Sequence, residues 1–171
     1  MTRQIVDIDY TRCTGCRACV LTCSVFHAGV VRPSASAIHI ASSLDEGVNV
    51  PLLCIACKER PCLDVCPVNA IRLHKTLGIP LIDTEACTGC QSCIPACPYQ
   101  GISFDPVANK AVKCDLCDGE PLCVKVCIGA YEMPGALHYV TLSGEEEADY
   151  DRRVQERMNV YRSVKDGSEC S

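Results

Sequence analysis

Sixteen of the seventeen cysteines in this 171-residue chain fall into four groups of four. They are Cys13, Cys16, Cys19, Cys23; Cys54, Cys57, Cys62, Cys66; Cys87, Cys90, Cys93, Cys97; and Cys114, Cys117, Cys123, Cys127. The first and third groups read C-x2-C-x2-C-x3-C, whereas the second and fourth widen the middle gap to x4 and x5 and keep the closing x3. Three thiolates on one tight loop reach three irons of a single cubane, and in paired runs the last cysteine ligates the neighbouring cubane. Sixteen cysteines therefore account for four [4Fe-4S] clusters with no ligand missing. Fully thiolate-capped iron passes electrons but has no open position for substrate, so the expected chemistry is one-electron transfer rather than bond making.

Other uses of the same residues fit less well. A four-thiolate zinc site takes two C-x2-C pairs and leaves no role for a third close cysteine. A disulfide scaffold needs an oxidising compartment. A thioredoxin-like C-x2-C is one motif beside a βαβ unit, not four related copies. Cys170 stands apart near the chain end and reads as a solvated, non-ligating thiol.

Prolines hint at which groups exchange ligands. Pro67 follows Cys66 and Pro98 follows Cys97, whereas Ser24 follows Cys23 and Ile128 follows Cys127. Like paired with like gives an inner unit of groups two and three and an outer unit of groups one and four. The expected inner sets are Cys54, Cys57, Cys62 with Cys97, and Cys87, Cys90, Cys93 with Cys66. The outer sets are Cys13, Cys16, Cys19 with Cys127, and Cys114, Cys117, Cys123 with Cys23. Sequential pairing, one with two and three with four, stays open on the residues alone.

The elements that must hold these loops are short. Strand candidates cover 4–10, 37–41, 70–73, 80–83, 101–105, 110–113 and 136–142, bounded by turns at Thr14-Gly15, Thr88-Gly89 and Asp118-Gly119. Short helices are expected through the third and fourth cysteine of each group. The fold class is α+β: two pseudo-symmetric bacterial-ferredoxin-like dicluster units plus a C-terminal helical extension. A tandem four-cluster domain is assigned to 1–142, its outer unit from about 1–53 and 106–142 and its inner unit about 54–105. Residues 143–171 form the C-terminal helix and tail. Residues 27–53 read as a long connection wrapping the outer unit. In 145–165, Tyr150, Val154, Met158, Tyr161 and Val164 recur at helical spacing, a stripe that either packs on its own domain or docks to a catalytic subunit.

Composition closes off other classes. A formal net charge of -5 gives no basic stripe, so no nucleic-acid partner is expected. The first ten residues hold Arg3, Asp7 and Asp9 and no apolar run, so no export signal is expected and a cytoplasmic location is. No run of 18 apolar residues occurs, so direct membrane insertion is not expected. Six Tyr, two Phe and no Trp leave a core poor in large side chains, and the iron-free chain is expected to be largely unfolded. His27, His39, His74 and His138 share no metal-ligand spacing and read as hydrogen-bonded or exposed imidazoles. Arg12, Arg17, Lys58, Arg60, Lys113 and Lys125 flank the groups, where a cation raises a cluster's potential if it lies close and does nothing if it is solvated.

The four groups, with the run Lys113-Cys114-Asp115-Leu116-Cys117 leading to Pro121-Leu122-Cys123-Val124, resemble the four-cluster iron–sulfur subunits of complex oxidoreductases, the dimethyl sulfoxide reductase electron-transfer subunit type. After group one, Ser24, His27, Gly29, Pro33, Ser36 and Ile38 are most similar to the compact members, including small subunits that accompany tungsten aldehyde oxidoreductases. The resemblance covers roughly residues 3 to 142. It implies pairing of groups one with four and two with three. It also implies a non-catalytic subunit relaying single electrons between a catalytic oxidoreductase subunit, a tungsten or molybdenum enzyme, and a second redox partner. A free polyferredoxin without an obligate partner is the rival reading. Relatives often keep proline after every fourth cysteine, so Ser24 and Ile128 set the outer loops apart.

Overall fold

The structure, a computed structural model, describes residues 3–129, 134–144 and 146–168. Its strands form antiparallel pairs. β1 (Arg3–Ile8) pairs with β8 (Leu137–Leu142), Arg3 opposite Leu142 and Ile8 opposite Leu137. β2 (His39–Ser43) pairs with β3 (Val48–Leu52), β4 (Ile71–Leu73) with β5 (Pro80–Ile82), and β6 (Ile102–Asp105) with β7 (Lys110–Lys113). Among the described residues four α-helices complete the frame: α1 (Ala18–Ala28), α2 (Pro61–Asp64), α3 (Leu122–Gly129) and α4 (Glu146–Ser168). Small sheets and short helices make an α+β chain, and none of the described helices is long and apolar enough to cross a membrane.

Prolines decide where helices run through the cysteine groups. α1 carries Cys19 and Cys23, and α3 carries Cys123 and Cys127, because no proline stops them at the fourth cysteine. In group two, Pro67 forces Cys66 out of helical geometry, and α2 is a single turn holding Cys62 alone. Group three has Pro95 and Pro98 around Cys97 and forms turns with no helix, which corrects the expectation of a helix there. Residues 27–53 are not merely a connection, since they fold into the β2–β3 hairpin. The expected division at 105/106 also runs through a hairpin, for β7 pairs with β6 and Ala111 is buried beside Ile71 and Ile102.

The α4 stripe packs on this chain. Tyr150, Val154, Met158 and Val164 are buried, and the helix lies across β2 and β3. Ion pairs fasten its first turns: Arg3 to Glu147 at 3.4 Å and Asp151 at 3.2 Å, Lys58 to the same two carboxylates at 3.0 and 3.2 Å, and Arg153 to Asp7. Most buried apolar residues join one core built from β1, β8, α1, α4 and the β2–β3 hairpin, with Tyr150 as its one fully buried aromatic among the described residues. A second core is far smaller: Cys62, Ile71, Cys93, Ile102 and Ala111.

Candidate metal centres

Each cysteine loop turns at the residue two past its first cysteine. Gly15, Ala56, Gly89 and Leu116 all adopt left-handed backbone, with φ of 70°, 50°, 74° and 60°. This turn aims a main-chain N–H back at the first thiol: Ala56 donates to Cys54 Sγ at 3.3 Å, and Gly15 and Leu116 do the same for Cys13 and Cys114. Two loops use glycine, for which positive φ carries no steric cost; the other two hold Ala56 and Leu116 in that region against strain.

The fourth cysteines share a second device. Ala37, Ala70, Gly101 and Ala136 donate their amides to Cys23, Cys66, Cys97 and Cys127 Sγ at 3.4, 3.2, 3.3 and 3.2 Å. Each donor lies one or two residues before a strand and precedes Ile or Leu. At Gly101 room is the reason for the missing side chain: a Cβ there would stand 2.7 Å from Cys54 Cα. Sequence reading alone missed these donors, although a small residue followed by Ile or Leu recurs after every fourth cysteine, at x3 in groups two and three and at x13 and x8 in the others.

The fold gathers the thiols into four sets. Cys13, Cys16, Cys19 and Cys127 line one cavity. Cys23, Cys114, Cys117 and Cys123 line a second, and Cys66, Cys87, Cys90 and Cys93 a third. In the fourth set, Cys54, Cys57 and Cys97 each act on the Cys62 thiol. None of the sixteen is in a disulfide.

Burial pushes Cys19 and Cys123 up to about 12 and Cys62 to about 11, with neighbouring thiols adding to the rise. Cys23 goes the other way. Burial opposes its ionisation, but hydrogen bonds from His27, Ala37 and Ser36 outweigh that cost and lower its pKa. Thiols that line common cavities, several of them buried, and that are met by main-chain N–H donors suit a multi-iron core, whose metal charge offsets the cost of ionising them.

The flanking cations divide sharply. Arg12 pairs with Asp9 at 2.9 Å, Lys58 with α4 carboxylates and Lys125 with Glu120, while Arg60 reaches the Gly78 carbonyl at 3.5 Å. Lys113 is the buried one, and its ammonium hydrogen-bonds Cys54 Sγ. His27 is hydrogen-bonded, as expected of the histidines, but its partners are thiols. One helical turn past Cys23, it hydrogen-bonds Cys117 first and Cys23 second, lies 3.5 Å from Asp115, and has its pKa raised to about 10. His74 accepts the Leu77 amide at 3.1 Å, His39 is half-buried with its pKa lowered by desolvation, and His138 lies on β8 opposite Asp7. Cys170 lies outside the described residues.

A fold of hairpins and short helices around thiol sets is that of an iron–sulfur electron carrier. Two descriptions of the 4Fe-4S dicluster domain match residues 12–71 and 46–136, and the chain belongs to this family. With two clusters for each dicluster domain, it carries four [4Fe-4S] clusters. Over 116 residues it is 39% identical to the polyferredoxin-like subunit of an aliphatic sulfonate oxidoreductase from Pyrococcus furiosus, covering 68% of this chain and 66% of that protein. It is 31% identical to a subunit of tetrathionate reductase from Salmonella typhimurium, over 79% of this chain and 58% of that one. The chain thus spans just under two thirds of the first relative's length and less of the second's. A solved chain of the active-site complex BamBC of benzoyl-coenzyme A reductase shares 26% identity, covers 90% of this chain and 88% of that chain, and has a TM-score of 0.49.

Proposed function

We propose that this protein is a non-catalytic electron-transfer subunit relaying single electrons through its four clusters between a catalytic oxidoreductase subunit and a second redox partner. The observation that carries this reading is that thiols of different groups line common cavities, which supports crossed sets following one another in a row. On this reading the ligands are Cys13, Cys16, Cys19, Cys127; Cys114, Cys117, Cys123, Cys23; Cys54, Cys57, Cys62, Cys97; and Cys87, Cys90, Cys93, Cys66. Cys19 acts on Cys123, linking the first two sets, and Cys54 acts on Cys114, linking the second to the third. Groups two and three exchange their fourth cysteines, linking the third set to the last. Cys16 and Cys90 are exposed and belong to the two end sets, which supports entry and exit at opposite ends of the row.

When bound, such clusters supply one-electron transfer without proton or bond chemistry. The chain's own residues hold, insulate and tune: amides of Ala37, Ala70, Gly101 and Ala136 meet the sulfurs, and the cores of β1–β8 and α4 keep water from the middle sets. The fourfold repetition of those donors supports two pseudo-symmetric dicluster units within residues 1–142, with 143–171 as the strap formed by α4. A catalytic partner is supported by the names of the relatives, both subunits of oxidoreductases, and by the exposed Val25, Phe26, Val30 and Val31 on and after α1. A tungsten or molybdenum enzyme is the partner this reading favours. A cytoplasmic location belongs to it too, because thiols kept for iron need a reducing compartment.

Anaerobic isolation of the native protein tests the proposal. The expected result is about sixteen iron and about sixteen sulfide per chain and stoichiometric co-elution with a large catalytic chain. A chain that elutes alone with full iron content is a free polyferredoxin and overturns the subunit assignment; zinc without sulfide overturns the relay itself.

A further inference from the structure

The junction between the two dicluster units carries a buried charge that the thiol sets themselves do not explain. Lys113 ends β7 of the inner hairpin and is followed directly by Cys114, so the inner unit passes into group four at this residue. Its side chain is buried, and among the described residues it forms no ion pair with a carboxylate. Instead its ammonium donates to Cys54 Sγ and acts on Cys62 and Cys114. One cation therefore faces the Cys54 set of the inner unit and the Cys114 set of the outer unit at once. Arg12, Lys58 and Lys125, by contrast, spend their charge on carboxylates.

An ammonium taken out of water without a carboxylate costs several kcal/mol unless an anion compensates it. A cubane with four thiolates is anionic and gains one more negative charge on reduction. We infer that Lys113 is the redox-tuning residue of the unit junction, its buried ammonium favouring the reduced state of the cluster on Cys54, and to a lesser degree that on Cys114, so that crossing between the units is not an uphill step. This rests on the relay reading above. Lys113 touches a ligating sulfur rather than a reacting substrate, so it is a positioning charge.

The test uses the full-length protein loaded with its clusters. Lys113→Met keeps the chain length and removes the charge, whereas Lys113→Arg keeps the charge. Potentiometric titration followed by electron paramagnetic resonance should find one cluster in Lys113→Met with at least tenfold lower electron affinity. For a one-electron couple that is about 59 mV. The end clusters should stay at wild-type values, and Lys113→Arg should stay within about threefold of wild type, roughly 28 mV by the same conversion. Lys113→Met with all four potentials unchanged at full iron content overturns the proposal. Should Lys113→Met lose its clusters, the wild type decides: pulsed resonance on reduced protein labelled with 15N at lysine Nζ should show a lysine nitrogen coupled to one cluster. No coupled lysine nitrogen overturns it. Wild-type protein without iron and sulfide would sink the relay reading instead, so the two failures are distinct.

Discussion

The two halves of this chain hold the same number of cysteines by different means. Around groups one and four stand β1–β8, β2–β3, the eleven-residue α1, the eight-residue α3 and the covering α4, all feeding one large apolar core. Around groups two and three stand strands of three or four residues and a single helical turn over a separate cluster of five buried residues, two of them cysteines, while Ile55, Ala56, Leu77 and Ile79 reach into the large core. A separate cluster that small contributes little against the conformational entropy of ordering the loops around it. On this contrast the outer half should keep part of its fold without clusters, whereas the inner half should depend on them.

Removing iron should expose the contrast most strongly. Chelation should bring amide exchange at Ile71, Ile102 and Ala111 to unprotected rates while Val6 and Leu137 keep part of their protection. Equal loss in both halves would break the comparison.

Single ligand changes sharpen it. Cys66→Ala should lower iron from about sixteen to about eight per chain, because the inner half loses both clusters once one fails. Cys23→Ala should lose only about four, since the outer core survives. Gly101→Ala, whose Cβ would stand 2.7 Å from Cys54 Cα, should destabilise the loaded protein by about 2 kcal/mol in denaturant titration.

Proton release gives a smaller effect with a definite sign. With burial holding Cys19 and Cys123 up to about 12 and Cys62 to about 11, these thiols are protonated at neutral pH, and iron must displace protons to bind. Cluster uptake at fixed iron and sulfide should therefore rise from about pH 7 to about pH 9 and fall in acid, followed by visible absorbance. A falling slope over that interval would contradict the buried-thiol account. The least change is expected from Ala56→Gly. It relieves a left-handed alanine at φ 50° and should stabilise the loaded protein by about 0.5 kcal/mol after glycine's entropy cost.

Much of this was legible in the residues. Cysteine spacing gave the cluster number, and strand candidates at 70–73, 80–83, 101–105 and 110–113 fall within a residue of β4 to β7. Strand β3 escaped notice because Pro51 interrupts its alternation and reads as a breaker, yet it is tolerated opposite Ile40. The helix expected in group three failed because spacing was weighed above Pro95 and Pro98. Conversely, the missing prolines after Cys23 and Cys127 carried more than a hint about partners: they let α1 and α3 run on and pack against each other. His27 lay beyond the reach of spacing rules, since its two thiol neighbours come from groups separated by about ninety residues in sequence and joined only by the fold. Lys113 could be counted among six flanking cations, but only packing singles it out as buried.

The pairing of β1 with β8 places Arg3 opposite Leu142, and this arrangement dictates a schedule for the chain as it leaves the ribosome. Both inner hairpins and all eight cysteines of groups two and three lie within residues 54–113, so that half has every piece it needs before group four is translated. Cys13, Cys16 and Cys19 emerge first but must wait for Cys127 and β8 before their cavity closes. The earliest thiols to be made are therefore among the last to be sheltered, and they bear the longest exposure to oxidants during maturation.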